Sequence, residues 1–156
     1  MFFVPLLATI FLGMVPDKSE SYKGSCIIDA ANDRFDENHM LRLVNAERKK
    51  VHVQPLTFNS KLKAAAQCHS AYQARNKHMS HDGFKRSSVG PRVKKKGYFF
   101  RSCAENVAFN QRSVEEVVEA WMNSPGHRRN ILSPKYKEFG AGMVSYYWTQ
   151  NFGKHR

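Results

Sequence analysis

Three polar residues lie where predicted helices or strands end, and their types suit metal binding or proton transfer. His81 follows the second predicted helix, Glu105 lies in the short run AENVA, and His127 follows the helix ending in AWMN. A side chain at the end of an element has a fixed origin and an exposed tip, so two imidazoles and a carboxylate could share a metal or exchange a proton. The spacing leaves a second interpretation open, in which the three are separate surface or capping residues.

Familiar catalytic motifs are absent from the sequence. It contains no HExxH zinc motif, no GxSxG nucleophile motif and no glycine-rich phosphate loop. A nucleophile with a base beside it cannot be identified either, so any catalytic residues are unknown. The sequence therefore favours a function other than catalysis.

Helical periodicity predicts the elements that would position these residues. Asp36 and Asn59 are good N-caps for two helices, DENHMLRLVNAERKKV and SKLKAAAQCHSAYQARNK. The most regular apolar stripe lies in SVEEVVEAWMN, which opens with an S-x-x-E capping box and ends before Pro125. The looser segment 80–103 contains VKKK, which predicts one or two helical turns.

Strand-forming residues are concentrated towards the C-terminus. FGAGMVSYYWTQNFG predicts two strands, and AENVAFN predicts a short strand before the last long helix. Helices combined with strands clustered in this way indicate an α+β domain built in layers.

The N-terminus indicates export from the cell. Residues 2–15 carry no charge, but the run is shorter than the ~20 residues that a membrane span needs, and it suits the apolar region of a signal peptide. We expect residues 1–21 to be a signal peptide, 22–35 an N-terminal arm and 36–156 the folded domain of a secreted protein. The alternative is an uncleaved apolar tail or a membrane anchor.

The chain has three cysteines, Cys26, Cys68 and Cys103. In an exported protein an odd number favours one disulfide and one remaining thiol. We expect a Cys68–Cys103 disulfide, because both residues lie in the compact region whereas Cys26 lies in the leader. Three free thiols are the alternative.

The chain is strongly basic. Its 25 Lys and Arg residues oppose 13 Asp and Glu residues, for a net charge of +12. Such a balance favours contact with an anionic surface, such as lipid or a cell-wall polymer. Nucleic acid is not an expected partner, because no recognition motif is present. We expect a monomer or a weak dimer.

Several motifs together resemble the CAP superfamily, which covers cysteine-rich secretory proteins, antigen 5 and class-one plant pathogenesis-related proteins. The motifs are AENVAF, VVEAWMNSPGHRRNIL and YYWTQNFG, supported by LVNAERKK and MSHDG, and they extend over residues 37–153. The branch that the chain resembles most is the short, single-domain branch common in microbes. The resemblance implies a three-layer α-β-α sandwich with a small antiparallel sheet.

The resemblance also implies a cleft lined by two histidines and two glutamates. His81, Glu105 and His127 match three of these positions, while Ser124 stands where the family has its second glutamate. Asn106 and Ser124 are expected to support the cleft. Zinc held by His81 and His127 is a possible cofactor, although the fourth ligand of such a site is in doubt.

The family implies a secreted binding module for lipid or sterol, peptide or glycan, acting in contact with a host or the environment. A small apolar ligand or a peptide is therefore an expected partner. The alternative is a metal-dependent hydrolase or protease that uses the histidine–glutamate cleft. Because Ser124 removes one carboxylate, the resemblance favours binding over catalysis.

Three further residues or segments carry expectations of their own. His69, inside the second helix, is expected to pack in the core with a ring nitrogen bonded to a neighbour. His52 stands where the family often has a glycine, and a left-handed backbone there would cost about 1 kcal/mol. The short connection SYY requires either a tight hairpin or shifted strands.

Overall fold

The computed structural model describes residues 35–156, so the predicted signal peptide and nearly all of the predicted arm lie outside the described residues. The helices in this part of the chain are α1 (Glu37–Lys50), α2 (Ser60–Asn76), α3 (Val89–Lys95), α4 (Val114–Met122) and α5 (Pro125–Leu132), with a 3₁₀ turn at Phe84–Arg86. The strands are β1 (Thr57–Phe58), β2 (Phe100–Phe109), β3 (Glu138–Val144) and β4 (Tyr147–His155).

The four strands form one sheet in the order β1-β3-β4-β2. The pairs β2–β4 and β3–β4 are antiparallel, which confirms the predicted small antiparallel sheet, and the two-residue β1 adds a parallel edge. Ser145 and Tyr146 connect β3 to β4 with φ of 48° and 61°. Positive φ at both central residues is the geometry of a type I′ turn, so the hairpin is tight and the strands are not shifted.

Helices cover both faces of the sheet, as the three-layer prediction requires. Gly140 and Gly142 face α2, where an added Cβ would overlap the backbone of Lys63 and Gln67. Their neighbour Phe139 is fully buried in the core on the opposite face, because successive strand residues point to opposite sides. The core on this opposite face also contains residues of α1, α4 and α5: Met40, Val44, Val117, Trp121 and Ile131.

The predicted helix starts are confirmed by their caps. The side chains of Asp36 and Asn59 accept hydrogen bonds from backbone N–H groups in the first turns of α1 and α2. Ser113 Oγ accepts from Glu116 N at 3.1 Å. The reciprocal half of the capping box differs from expectation, because the Glu116 carboxylate accepts from Arg112 N at 2.8 Å.

Pro125 begins a helix, while α4 already ends at Met122 with Asn123 as its C-cap. The sequence predicts only a stop there, but α5 starts at Pro125 with Ser124 as its N-cap. Proline is tolerated at the first helical position, since the N–H of that residue has no partner inside the helix. His127 therefore lies in the first turn of a helix rather than in a turn that follows one.

The predicted Cys68–Cys103 disulfide is wrong. Cys103 is a free, half-buried thiol, whereas Cys68 is disulfide-bonded. Cys103 packs against an apolar cluster that contains Leu62, near the start of α2. Cys68 lies about 9 Å further along that helix and roughly 120° around it, which takes it away from Cys103. Cys26 lies outside the described residues.

Single residues outside the site show the left-handed backbone considered for His52 and the burial of both tryptophans. His52 has φ of 56°, the left-handed conformation. Trp121 and Trp148 are 1% and 2% exposed, and their indole N–H groups donate to the carbonyls of Val107 and Gln111. Both tryptophans therefore belong to the core.

Candidate functional site

Glu105 is the centre of the candidate site. It lies in the edge strand β2, and its side chain is only 2% exposed. Arg92 Nη2 donates to Glu105 Oε2 at 2.5 Å, and His81 Nδ1 lies 3.0 Å from Oε1. Both carboxylate oxygens therefore have a partner within the protein.

The partners of Glu105 decide which protonation states are stable. Burial would raise the pKa of Glu105, but the hydrogen bond from His81 and the charge of Arg92 outweigh it, so the pKa lies below its ordinary value. The hydrogen bond to Glu105 raises the pKa of His81 despite partial burial. The two residues therefore favour an ionised carboxylate beside a protonated imidazole.

Arg92 is a site residue that sequence reasoning does not identify. It lies in α3, and its side chain is 12% exposed. Its Nη1 donates to the carbonyl oxygens of His81, at 2.9 Å, and Ser87. One guanidinium thus holds both the buried carboxylate and the loop that carries His81. The run RVKKK does not distinguish Arg92 from the neighbouring cations. Only the packing of β2 against α3, which brings Glu105 to Arg92, makes it a site residue.

His69 is a second imidazole next to the carboxylate of Glu105. It is fully buried in α2, its Nε2 lies 2.8 Å from the carbonyl oxygen of Ser80, and the same nitrogen lies 3.8 Å from Glu105 Oε1. Burial lowers the pKa of His69. The expected packing role agrees with this geometry, because a neutral ring that donates to Ser80 secures the segment leading to His81.

The opposite wall of the site comes from α5. The carbonyl of His127 accepts a hydrogen bond from Asn106 Nδ2 at 3.2 Å. Asn130 Nδ2, one turn later, donates to Asn106 Oδ1 at 2.9 Å and to the carbonyl of Glu105 at 3.3 Å. These amides join α5 to β2. Asn130 is another residue that sequence reasoning misses, although it lies within the motif GHRRNIL.

The structure brings His81, Glu105 and His127 into one region. Burial lowers the pKa of His127, and the charge of His81 lowers it further. His81 reaches this region from the loop after α2, through Glu105 Oε1, and His127 reaches it from α5, through its backbone carbonyl and Asn106.

Ser124 occupies the position of the family's second glutamate. Its backbone carbonyl accepts from Arg128 N at 2.8 Å, but its side chain makes no capping hydrogen bond. Within the described residues it bonds to none of His81, Glu105 and His127. As a serine it supplies no carboxylate, and its hydroxyl does not replace one in these contacts.

The donor set does not fit a zinc site with three protein ligands and an open position. The oxygens of Glu105 are engaged by Arg92 and His81, and a guanidinium in contact with the carboxylate opposes a second cation. Between residues 35 and 156 no group of three or more His, Cys, Asp or Glu side chains is arranged to hold a metal. The geometry gives no support to zinc held by His81 and His127.

A groove of about 730 Å³ runs along α1, apart from this site. Its lining combines apolar side chains with a basic rim: Leu41, Arg42, Ala46, Lys49, His52, Val53 and Pro55. Neither His81 nor Glu105 nor His127 lines it. The domain thus has a polar site at the β2 edge and a more apolar groove on the α1 layer.

The sequence motifs are those of a known family. The model for the cysteine-rich secretory protein family, CAP, matches residues 41–152. The chain belongs to the CAP family. The Bacillus subtilis protein YkwD is 36% identical over 118 residues, which cover 74% of this chain and 46% of that protein. The B. subtilis membrane protein YlbC is 33% identical over 118 residues, 76% of this chain and 34% of its own. The CAP chain thus spans less than half the length of both relatives.

Solved structures of CAP domains have the same fold. An extracellular protein containing an SCP domain from Bacillus anthracis superposes with a TM-score of 0.73 at 26% identity, covering 75% of this chain and 39% of that one. An outer surface protein from Borrelia burgdorferi has a TM-score of 0.72 at 22% identity, covering 83% of this chain and 97% of its own. Both are similar in fold to this CAP domain. In the described part of the chain no helix is long and apolar enough to cross a membrane.

Proposed function

We propose that the protein is exported and acts as an extracellular binding module, and that its site holds a ligand without breaking a bond. The observation that carries the proposal is the pairing of Glu105. A general base works best with a pKa near the operating pH, but the pKa of Glu105 lies below its ordinary value and both oxygens are already bonded.

The nearby thiol of Cys103 does not supply a nucleophile. Burial raises the pKa of Cys103, and the negative charge of Glu105 adds to the effect. A thiolate is the reactive form of cysteine, so a raised pKa makes this residue a poor nucleophile at neutral pH.

The ligand class follows from the two imidazoles. His81 uses Nδ1 for Glu105 and is 59% exposed, so its second nitrogen is left for a ligand. A protonated His81 beside His127 suits an acceptor oxygen, such as a carboxylate or carbonyl of a peptide or a glycan. The groove along α1 supports an additional small apolar ligand, with an anionic head against Arg42 and Lys49.

Export is supported by the uncharged N-terminal run and by the comparisons, since one structural relative is described as extracellular and another as an outer surface protein. A mass spectrum of the protein from the culture medium tests this directly. Recovery of a chain that starts near residue 22 supports export, and an intact chain retained in the cell contradicts it.

Binding at the imidazoles is tested by ¹H–¹⁵N NMR of histidine side chains during titration with soluble peptidoglycan fragments and acidic peptides. We expect saturable shifts of His81 and His127 signals that His81→Ala abolishes and that His39→Ala leaves unchanged. The absence of shifts with every ligand would sink the proposed cleft function.

The hydrolase alternative is tested by calorimetry with zinc and by a fluorogenic peptide assay. We expect zinc binding to be the same in the wild type, His81→Ala and His127→Ala, and peptide turnover to be absent. Zinc binding that either substitution removes, together with zinc-dependent turnover, would establish the hydrolase instead.

The groove is tested with the fluorescent fatty acid 11-(dansylamino)undecanoic acid. We expect Ala46→Trp, which fills the groove, to weaken binding at least tenfold. Lys50→Trp is the matched control, because Lys50 lies on the same helix but outside the groove lining. Equal binding of the fatty acid by both variants would show that it binds outside the groove.

A further inference from the structure

Two separated stretches of sequence form one basic surface at one end of the sheet. The stretch 94–101 reads KKKGYFFR and the stretch 154–156 reads KHR. Pairing of β2 with β4 places Phe100 opposite His155, and Arg156 N donates to the carbonyl of Phe99 at 3.1 Å. We name this surface the basic end; its exposed side chains are Lys61, Lys94, Lys95, Phe99, Arg101, Lys154, His155 and Arg156.

Lys61 belongs to the basic end although it lies in α2. Its Nζ would be 4.0 Å from a Cβ added at Gly97, so the start of α2 adjoins the turn between α3 and β2. Lys94 Nζ lies over the ring of Phe100, 5.3 Å from its centroid. The cations of α2 and α3 therefore lie close together beside the start of β2. Gly153 and His155 face Tyr98, so Lys154 extends this end of the sheet on its opposite face.

Phe99 stands among these cations on a rigid base. It is 54% exposed, the highest value among the large hydrophobic residues that the structure describes as exposed. The preceding Tyr98 is fully buried and donates its hydroxyl to Glu138 Oε2 at 2.5 Å. A buried tyrosine next to an exposed phenylalanine fixes where the exposed ring projects, so Phe99 is not a side chain that could simply turn inward.

The charges of the basic end are not neutralised by acidic side chains of the described residues. Within residues 35–156, no ion pair forms at Lys61, Lys94, Lys95, Arg101, Lys154 or Arg156. The neighbouring carboxylate, Glu138, is bonded to Tyr98 and Asn59. These neutral donors leave the charge of Glu138 in place, but one carboxylate does not balance six cations, so the basic end keeps an excess of positive charge for a partner outside the chain.

Acidic side chains gather at the other end of the sheet. Arg112 lies over the ring of Tyr146, in the β3–β4 hairpin, and its backbone N–H donates to Glu116. His39 bonds to Glu115 at 2.6 Å, which brings the N-terminus of α1 to the same end. The length of β4, at ~3.3 Å per residue, separates the two ends by roughly 30 Å. At this far end carboxylates and cations lie together, as in the Arg42–Asp36 pair at 3.6 Å, whereas the cations of the basic end have no such partners among the described residues.

We propose that the basic end docks the domain onto an anionic lipid bilayer, with Phe99 entering the interfacial region and the surrounding Lys and Arg side chains contacting lipid phosphates. The inference rests on the proposed export, which brings the domain to the outer face of a membrane. An exposed aromatic ring ringed by cations is the combination that interfacial membrane binding uses. A soluble polyanion would need the cations but not the exposed ring, and this difference separates the two partners.

The docking is tested by co-sedimentation of the full mature protein with vesicles of phosphatidylcholine alone and of phosphatidylcholine with 30% phosphatidylglycerol. We expect binding only to the anionic vesicles at low salt, and weakening in 0.5 M salt. Each cation near such a surface contributes about fivefold in partition, so Lys95→Gln/Lys154→Gln should lower partition roughly 25-fold. The matched control Arg128→Gln/Arg129→Gln removes the same charge from α5 and should change it less than threefold.

The role of Phe99 is tested by Phe99→Ser and by Phe99→Trp. We expect Phe99→Ser to lower partition about tenfold at unchanged charge. The emission of the Phe99→Trp variant should shift to the blue on anionic vesicles and be quenched by brominated lipid acyl chains, whereas Trp121 and Trp148 are buried in the core.

Three results would overturn the docking: no sedimentation with anionic vesicles at low salt, equal losses in both double variants, or full binding by Phe99→Ser together with competition by soluble polyglycerol phosphate. The variant His81→Ala/His127→Ala separates this test from the proposed ligand site, because it should keep wild-type partition. Thermal melts confirm that each variant is folded.

Discussion

Charged side chains are buried and paired at the candidate site, but exposed and without ion-pair partners in the described residues at the basic end. At the site, Arg92 and Glu105 are almost completely buried and bonded to each other. At the basic end, Lys95 lies on the same helix as Arg92 but is exposed, without an ion-pair partner in the described part of the chain. Two cations three residues apart thus have different physical roles: one positions a carboxylate and a loop, and the other leaves its charge available to a partner.

The difference follows from the free energy of desolvation. A charge that is removed from water costs several kcal/mol unless a well-placed counter-charge and hydrogen bonds compensate it, as the bonds from Arg92 do for Glu105. An exposed lysine keeps its hydration and needs no partner. Buried charge is therefore informative about architecture, and exposed charge is informative about what the molecule meets.

The largest expected effect is at Glu105. We expect Glu105→Gln to lower the free energy of unfolding by about 3–5 kcal/mol, because it leaves Arg92 buried without its counter-charge. Urea denaturation measures the change. The control Glu119→Gln removes an exposed carboxylate and should change stability by less than about 0.5 kcal/mol. Equal stability of Glu105→Gln and wild type would mean that the site is open to water.

The comparison is sharpest within α3. We expect Arg92→Gln to cost about 2 kcal/mol, since it removes a guanidinium that holds Glu105, His81 and Ser87 together. Lys95→Gln, on the same helix, should cost less than about 0.5 kcal/mol. Urea denaturation of the two variants measures both changes. Similar losses of unfolding free energy for Arg92→Gln and Lys95→Gln would contradict the distinction between a structural and an exposed cation.

The His81–Glu105 pair should make stability depend on pH. The pKa of His81 is raised above 6.5 in the folded protein, so its contribution is present below pH 6.5 and is lost as pH rises through the folded value. The pKa of Glu105 is lowered below 4.5, so its contribution is lost only as pH falls through that lower value.

We therefore expect the difference in unfolding free energy between wild type and His81→Gln to be largest near pH 6 and smaller near pH 9. It should stay below about 1 kcal/mol, because His81 is largely exposed. In a Glu105→Gln background this extra stabilisation below pH 6.5 should disappear, because burial and the charge of Arg92, which both lower the pKa of His81, are then no longer outweighed by Glu105. A difference that grows as pH rises would have the wrong sign for this pair.

The smallest expected effect is on stability at the basic end. We expect Lys95→Gln/Lys154→Gln to raise the free energy of unfolding by a few tenths of a kcal/mol at low salt, because it relieves repulsion between like charges. In about 0.5 M salt the gain should vanish, since the Debye length falls to a few Å. Thermal melts at both salt concentrations measure it. A marked loss of stability would show that these lysines are structural.

The elements of the fold could be predicted because local patterns specify them. Caps at Asp36 and Asn59, and the valine stripe of α4, act over one or two turns, and the structure confirms them. The sequence does not predict α5, because Pro125 is typical of a helix end, although proline suits a first helical turn equally well. The predicted Cys68–Cys103 disulfide is wrong because cysteine pairing depends on which face of α2 packs against β2.

The sequence alone determined the net charge, the capping residues and the motifs of the CAP family. It also identified His81, Glu105 and His127 as candidate site residues. Only the tertiary structure decided which cations are buried and which are exposed. Arg92, His69 and Asn130 join the site because strands and helices far apart in sequence pack around Glu105, and KKKGYFFR meets KHR because β2 pairs with β4. Burial and pairing are properties of packing between distant segments, which no local pattern of residues contains.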